Sequence, residues 1–301
     1  MSRCRSTPSV DRATESGYVR PLRAGVSPVA FDGSGPPWAA RTPTISDASG
    51  VELIAEVWRR AAATQPPPAP IIIAFAAAIA LALVLPGAIW PYTRMLVTIT
   101  HEGAHGVAAF LTGRRLQGIR LHSDSSGLTV SSGRPSGLGM VTMLMAGYLG
   151  PALVGLGAVL LLIAGHSLGL LWLFVILLAL LLLQIRNFYG FILVVGCAVV
   201  LIVVSWYLPA LMQSTLAYVL TWTLLFAAPK PVVELMRQRR FGRAPQSDAD
   251  QLARLTRVPA GLWVGAFLIV NCSGMVLGAV LLVPALAQLG QSLAEQLATA
   301  A

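Results

Sequence analysis

The sequence predicts an all-α integral membrane protein with about seven transmembrane helices (six to eight) and a small cytoplasmic β-hairpin. Three observations carry that class. Only 11% of the 301 residues are charged and 56% are apolar, whereas a soluble domain carries about 25% charged residues. Apolar runs of about 20 residues, the length that crosses a bilayer as a helix, recur along the chain. The 21 basic residues, 20 of them Arg, collect in alternate connections.

The elements follow in order. Residues 1–50 are rich in Ser, Pro, Gly and Thr and bury too little apolar surface to order themselves, so a disordered cytoplasmic tail is expected. They lack the compact apolar run and cleavage site of a signal peptide. Residues 51–69 read as an amphipathic segment, "VELIAEVWRRAAATQ", followed by the Pro-rich linker "PPPAP", which stiffens the approach to the membrane. Residues 70–286 form the polytopic domain, with expected spans Ile71–Trp90, Met95–Gly113, Leu138–Ala164, Leu168–Gln184, Phe188–Leu208, Leu211–Ala228 and Leu262–Leu286. Weak alternation at Ile119–His122 and Leu128–Ser131 around a Ser/Asp/Gly turn predicts the hairpin. Gly165-His166-Ser167 leaves room for only a tight turn. Residues 229–259 form a basic cytoplasmic loop, and 287–301 a short tail.

With the N-terminus in the cytoplasm and seven spans threaded, all basic residues except Arg94 fall inside, as the positive-inside rule requires. The pI near 10.3 is then a topology signal, and no nucleic-acid partner is expected. Cys4, Cys197 and Cys272 have neither ligand-like nor disulfide-like spacing.

The chemistry sits in "ITHEGAHGVAAF", Ile99 to Phe110. Ionisable groups within a membrane span cost a few kcal/mol each and mark function. At about 100° per residue, His101 and His105 share one helix face and can aim nitrogens at one Zn2+, with Glu102 beside them as catalytic base. Zinc acidifies a bound water to a pKa near 7 and polarises a carbonyl; Glu102 takes the proton and passes it to the leaving amine.

"HEGAHGVAAFLTG", the hairpin, "AGYLGPALVG" (Ala146–Gly155), "RNFYG" and "SDADQLARLTRVPAGLW" together resemble the M50B-like branch of the site-2 protease (peptidase M50) family, over roughly residues 70–285. The resemblance implies a bacterial, multi-pass zinc metallopeptidase of the cytoplasmic membrane. It would cut peptide bonds in or next to transmembrane segments of a membrane protein or peptide substrate. His101 and His105 match the family's ligands and Glu102 its base. The family's third ligand is an Asp in a later helix, yet the comparable stretch here, Arg186-Asn187-Phe188-Tyr189-Gly190, has none.

Three candidates stay open for that third ligand. Asn187 offers an amide oxygen, or caps a helix. Asp248 and Asp250 offer carboxylates from the cytoplasmic loop, although Ser247-x-x-Asp250 also reads as a helix start. Asp124 reads as a turn residue, His122 and His166 as loop histidines, and Asn271 as an interhelical hydrogen-bonding group. The missing Asp keeps an inactive, partner-binding M50-like pseudoprotease as the alternative. A transporter is disfavoured because no inverted repeat is visible.

Overall fold

The computed structural model describes residues 50–242 and 246–283; the expected tails at 1–49 and 287–301 lie outside the described residues. The elements are α1 (Gly50–Ala62), α2 (Pro70–Val84), α3 (Trp90–Leu111), β1 (Arg115–Leu121), β2 (Gly127–Ser132), α4 (Leu138–Ile163), α5 (Ser167–Leu182), α6 (Phe188–Tyr207), α7 (Ala210–Ala227), α8 (Pro229–Arg240), α9 (Asp248–Thr256) and α10 (Ala260–Leu282). Pro lies in the first two positions of α2, α3 and α8, where its missing N–H costs no helical bond.

Each of the seven apolar runs forms a helix, but among the described residues four helical stretches are long and apolar enough to cross a membrane: α4, α6, the continuous α7–α8 (Ala210–Arg240) and α10. The expectation of seven is larger for a physical reason. Helices α2 and α5 have 15 and 16 residues, about 22–24 Å at 1.5 Å per residue, short of a core about 30 Å thick. The apolar run of α3 is interrupted by Arg94, His101, Glu102 and His105.

Helix directions follow from who meets whom. The Gln65 side chain, just before α2, bonds Gln213 and Ser214 at the start of α7. Lys230 Nζ, just past the end of α7, donates to the Val84 carbonyl at 2.5 Å. Helix α2 is therefore parallel to α7. Helix α4 is antiparallel to α7: Gly155 lies against Leu224 and Leu225, and Gly165, at the end of α4, accepts from the Gln65 N–H at 2.7 Å. Helix α3 is in turn antiparallel to α4, with Thr112 at Gly139 and Ala104 at Gly150.

The apolar core has two main parts. One joins α2, α4, α5 and α7 around Ala76, Val159, Leu171, Tyr218 and Leu225. The other fastens α8 and α9 to α4 and α10 through Leu144, Val232, Ala249, Leu252 and Phe267. The hairpin strands pair antiparallel with an irregularity between Leu116 and Gly118. On its other edge β1 meets the α5–α6 connection, where Ile119 N–H donates to Gln184 at 2.7 Å and Arg186 N–H to Ile119 at 2.9 Å. Gly118, at φ 151°, has no space for a Cβ beside Arg186.

Candidate metal centre

Helix α3 presents two neighbouring stripes. Thr98, Glu102 and Gly106, four residues apart, face the hairpin. Thr98 Oγ1 donates to the Ser125 carbonyl at 2.8 Å, Thr129 Oγ1 to Glu102 Oε2 at 2.6 Å, and Gly106 lies under Leu116 and Ile119. The next stripe carries His101 and His105 toward α4. Small residues make that approach possible: a Cβ on Gly147 would run into both imidazoles, and one on Gly150 would be 2.5 Å from the Ala104 Cβ.

The imidazoles are oriented by what surrounds them. His105 Nδ1 lies 2.6 Å from the Met143 carbonyl. That oxygen can only accept, so the proton sits on Nδ1 and Nε2 keeps a free lone pair. His101 is held edge-on by Tyr148, ring centroids 4.9 Å apart, and Tyr148 is stacked on Phe267 at 5.1 Å. Asn271 donates to the Tyr148 carbonyl at 3.0 Å, which ties α10 to this assembly.

Three donor atoms converge. His101 Nε2 and His105 Nε2 are 3.0 Å apart, and Asp248 Oδ2 is 3.3 Å from the first and 3.4 Å from the second. Two nitrogen lone pairs and a carboxylate are mutually repulsive unless a proton or a cation lies between them. A tetrahedral ion with bonds of about 2.0–2.1 Å sets its ligand atoms about 3.3 Å apart, so the residues present fit zinc.

Asp248 enters on the first turn of α9, whose Ala249 and Leu252 are buried against α4 and α10. Burial pushes its carboxyl up, and where a proton rather than an ion lies between these groups, hydrogen bonds from the imidazoles outweigh that and hold it well below the usual carboxylate range. Asp250, two residues on, points elsewhere: it pairs with Arg239, while its N–H bonds the Ser247 hydroxyl at 3.3 Å as a helix cap. Asn187 flanks α6 but gives both ends of its amide to Leu121, Nδ2 to its carbonyl at 2.6 Å and Oδ1 from its N–H at 3.1 Å. Of the three third-ligand candidates, the fold brings Asp248 to the histidines and sends Asp250 and Asn187 to other partners.

Asp124 accepts from Ser126 N–H at 2.9 Å in the hairpin turn, and the His122 ring lies 3.4 Å from the Ser126 hydroxyl in the same turn. Thr129, the Met143 carbonyl and Gly147 were not singled out from sequence. No local pattern marks them, since each matters only through a residue of α3.

The fold and site define a class: a multi-pass helical membrane protein with a His–His–Asp donor set beside a buried glutamate. The family follows from a match of residues 74–278 to the Peptidase M50B-like family model. The chain belongs to that family, whose members are zinc metallopeptidases in general. No match was found among curated proteins or among solved structures.

Proposed function

We propose that the chain is a membrane-embedded zinc metallopeptidase that hydrolyses peptide bonds in or next to transmembrane segments of its substrates. The carrying observation is the convergence of His101, His105 and Asp248 within one ligand-sized triangle, with Glu102 on the adjacent stripe. These three residues would hold Zn2+, which supplies a Lewis acid that polarises the scissile carbonyl and acidifies water. Glu102 holds the proton taken from the attacking water and delivers it to the departing amine nitrogen. Thr129 keeps Oε2 oriented by its hydrogen bond, leaving Oε1 for proton transfer. Met143 and Tyr148 fix the two imidazoles.

A substrate helix hides its amides in internal hydrogen bonds and must unwind before attack. Strand β1 is paired on both sides, with β2 and with the α5–α6 connection. Strand β2 therefore offers its outer edge to an unwound segment by strand addition, beside Glu102.

The pseudoprotease alternative drew its support from the missing Asp at "RNFYG"; a carboxylate beside the histidines from α9 supports the enzyme instead. The test is metal content of detergent-purified protein, then proteolysis of membrane substrates with Glu102→Gln as control. About one zinc per chain, with cleavage lost in Glu102→Gln, is the expected result. A metal-free wild type would overturn the reading.

A further inference from the structure

The first amphipathic helix lies at the end of the bundle away from the metal centre. Helix α1 buries Leu53, Val57 and Ala61 against Leu168, Trp172 and Trp206, and the Arg60 guanidinium sits over the Trp206 ring at 4.8 Å. Gln65 then locks the chain to Gly165 in the α4–α5 turn and to Gln213 and Ser214 after the α6–α7 turn. The hairpin, α8 and α9 are all at the opposite end.

This placement changes the path through the membrane. Helices α2 and α3 run in the same direction, since α2 is parallel to α7 while α3 is antiparallel to α4, itself antiparallel to α7. Only residues 85–89 join them, and they form a turn, with Trp90 N–H bonded to Pro86 at 3.0 Å. The start of α3 lies at the end of α2, with Thr93 Oγ1 donating to the Leu83 carbonyl at 2.8 Å and Trp90 packed with Val84. The two helices are stacked end to end and make one interrupted crossing. Six passes between the two ends result: α2/α3, α4, α5, α6, α7/α8 and α10, the 16-residue α5 completing its pass through residues 183–186, which bond β1. The chain then enters and leaves the described bundle on one face, and the metal centre lies toward the other.

Charge says which face is which. The metal-centre end carries Arg114, Arg115, Arg120, Arg134, Arg186 and the α8–α9 arginines. At the α1 end Arg59 and Arg60 are both paired with Glu56. By the positive-inside rule the metal-centre end is cytoplasmic, and long segments cross largely regardless of their charge. The N-terminus-inside arrangement followed from counting α2 and α3 as two crossings.

Helix α1 keeps a second apolar stripe that no described residue covers: Val51, Ile54 and Trp58 are 78%, 71% and 74% exposed. The helices α1 packs against, α5 and α6, also expose apolar side chains at Leu173, Ile176, Val203 and Tyr207. We propose that α1 is an interfacial anchor in the non-cytoplasmic leaflet, its Val51–Ile54–Trp58 stripe seated among lipid at the end of the bundle opposite the metal centre. Trp beside Arg on a helix of this kind suits the boundary between headgroups and acyl chains. The inference stands whether or not the centre hydrolyses peptides.

Two measurements on the full chain test it, in a background with Cys4, Cys197 and Cys272 replaced. A membrane-impermeant maleimide should label Arg59→Cys in intact spheroplasts and Ser136→Cys, beside the hairpin, only in inverted vesicles. Labelling of both from the same side overturns the topology. Spin labels at Val51→Cys, Ile54→Cys and Trp58→Cys, in liposomes of phosphatidylethanolamine and phosphatidylglycerol, should be open to oxygen and shielded from a water-soluble nickel chelate, with Arg59→Cys the reverse. Shielding of the stripe from both reagents would mean that protein covers it, and exposure to the chelate that it faces water. Either overturns the lipid anchor.

Discussion

The two ends of the bundle are built on opposite principles. At the α1 end the connections are short: Gly165 at φ 81° turns α4 into α5, and one uncharged cluster of Gln65, Gln213 and Ser214 joins the turns. At the metal-centre end the connections are long and charged, with two strands, a basic helix and a nine-residue helix. The first end minimises exposed backbone where a bilayer offers no partners. The second brings the donor atoms of His101, His105 and Asp248 within 3.4 Å of one another.

That contrast can be broken, most severely at the histidines. His105→Ala should abolish zinc binding, read as loss of the metal from purified protein, because Nε2 is one corner of the donor triangle. Next, Asp248→Asn should weaken zinc by more than the roughly 10–100-fold that outer partners of a metal site cost, while Asp250→Asn leaves affinity within about threefold, since it pairs with Arg239; competition with a zinc indicator measures both. Parallel losses in the two variants would mean that α9 acts only by docking. Thr129→Val should lower kcat roughly tenfold with metal content unchanged, as expected for one hydrogen bond to a charged group. At the other end, Gln213→Ala frees the Ser205 and Leu208 carbonyls it now satisfies. It should cost about 1–3 kcal/mol of stability, seen as a lower Tm with zinc stoichiometry intact.

The smallest effect is one of pH. Burial raises the Asp250 carboxyl, but the Ser247 hydroxyl and Arg239 more than offset that and lower it. A depressed carboxyl stabilises above its ordinary value near 3.9, and its contribution is lost as pH falls through the lowered one. Limited proteolysis of the α8–α9 connection should therefore rise below about pH 4 in wild type, with no such step in Asp250→Asn.

Local signals made half of the centre legible. His101, Glu102 and His105 lie within two turns of one helix, so spacing alone joins them, and the hairpin announced itself by alternation. The third ligand was narrowed only to three candidates. Asp248 and Asp250 are nearly equivalent in sequence, and what separates them is which side of the first α9 turn meets α4, a fact of tertiary packing. Asn187 misled because a polar residue at an interrupted hydrophobic run fits a ligand, a cap or, as here, a clamp on a strand. The path through the membrane was less legible for a related reason: hydropathy counts apolar runs but carries no information on their direction, and α2 and α3 run the same way.

Helix α9 reaches the centre from outside the bundle, held by the buried Ala249 and Leu252, the Asp250–Arg239 pair and the Trp263–Thr256 hydrogen bond. Zinc bound by His101, His105 and Asp248 thus shares its lifetime with the residence of that helix. Under excess chelator the stripping rate should rise with chelator concentration and then level off at the rate of α9 departure.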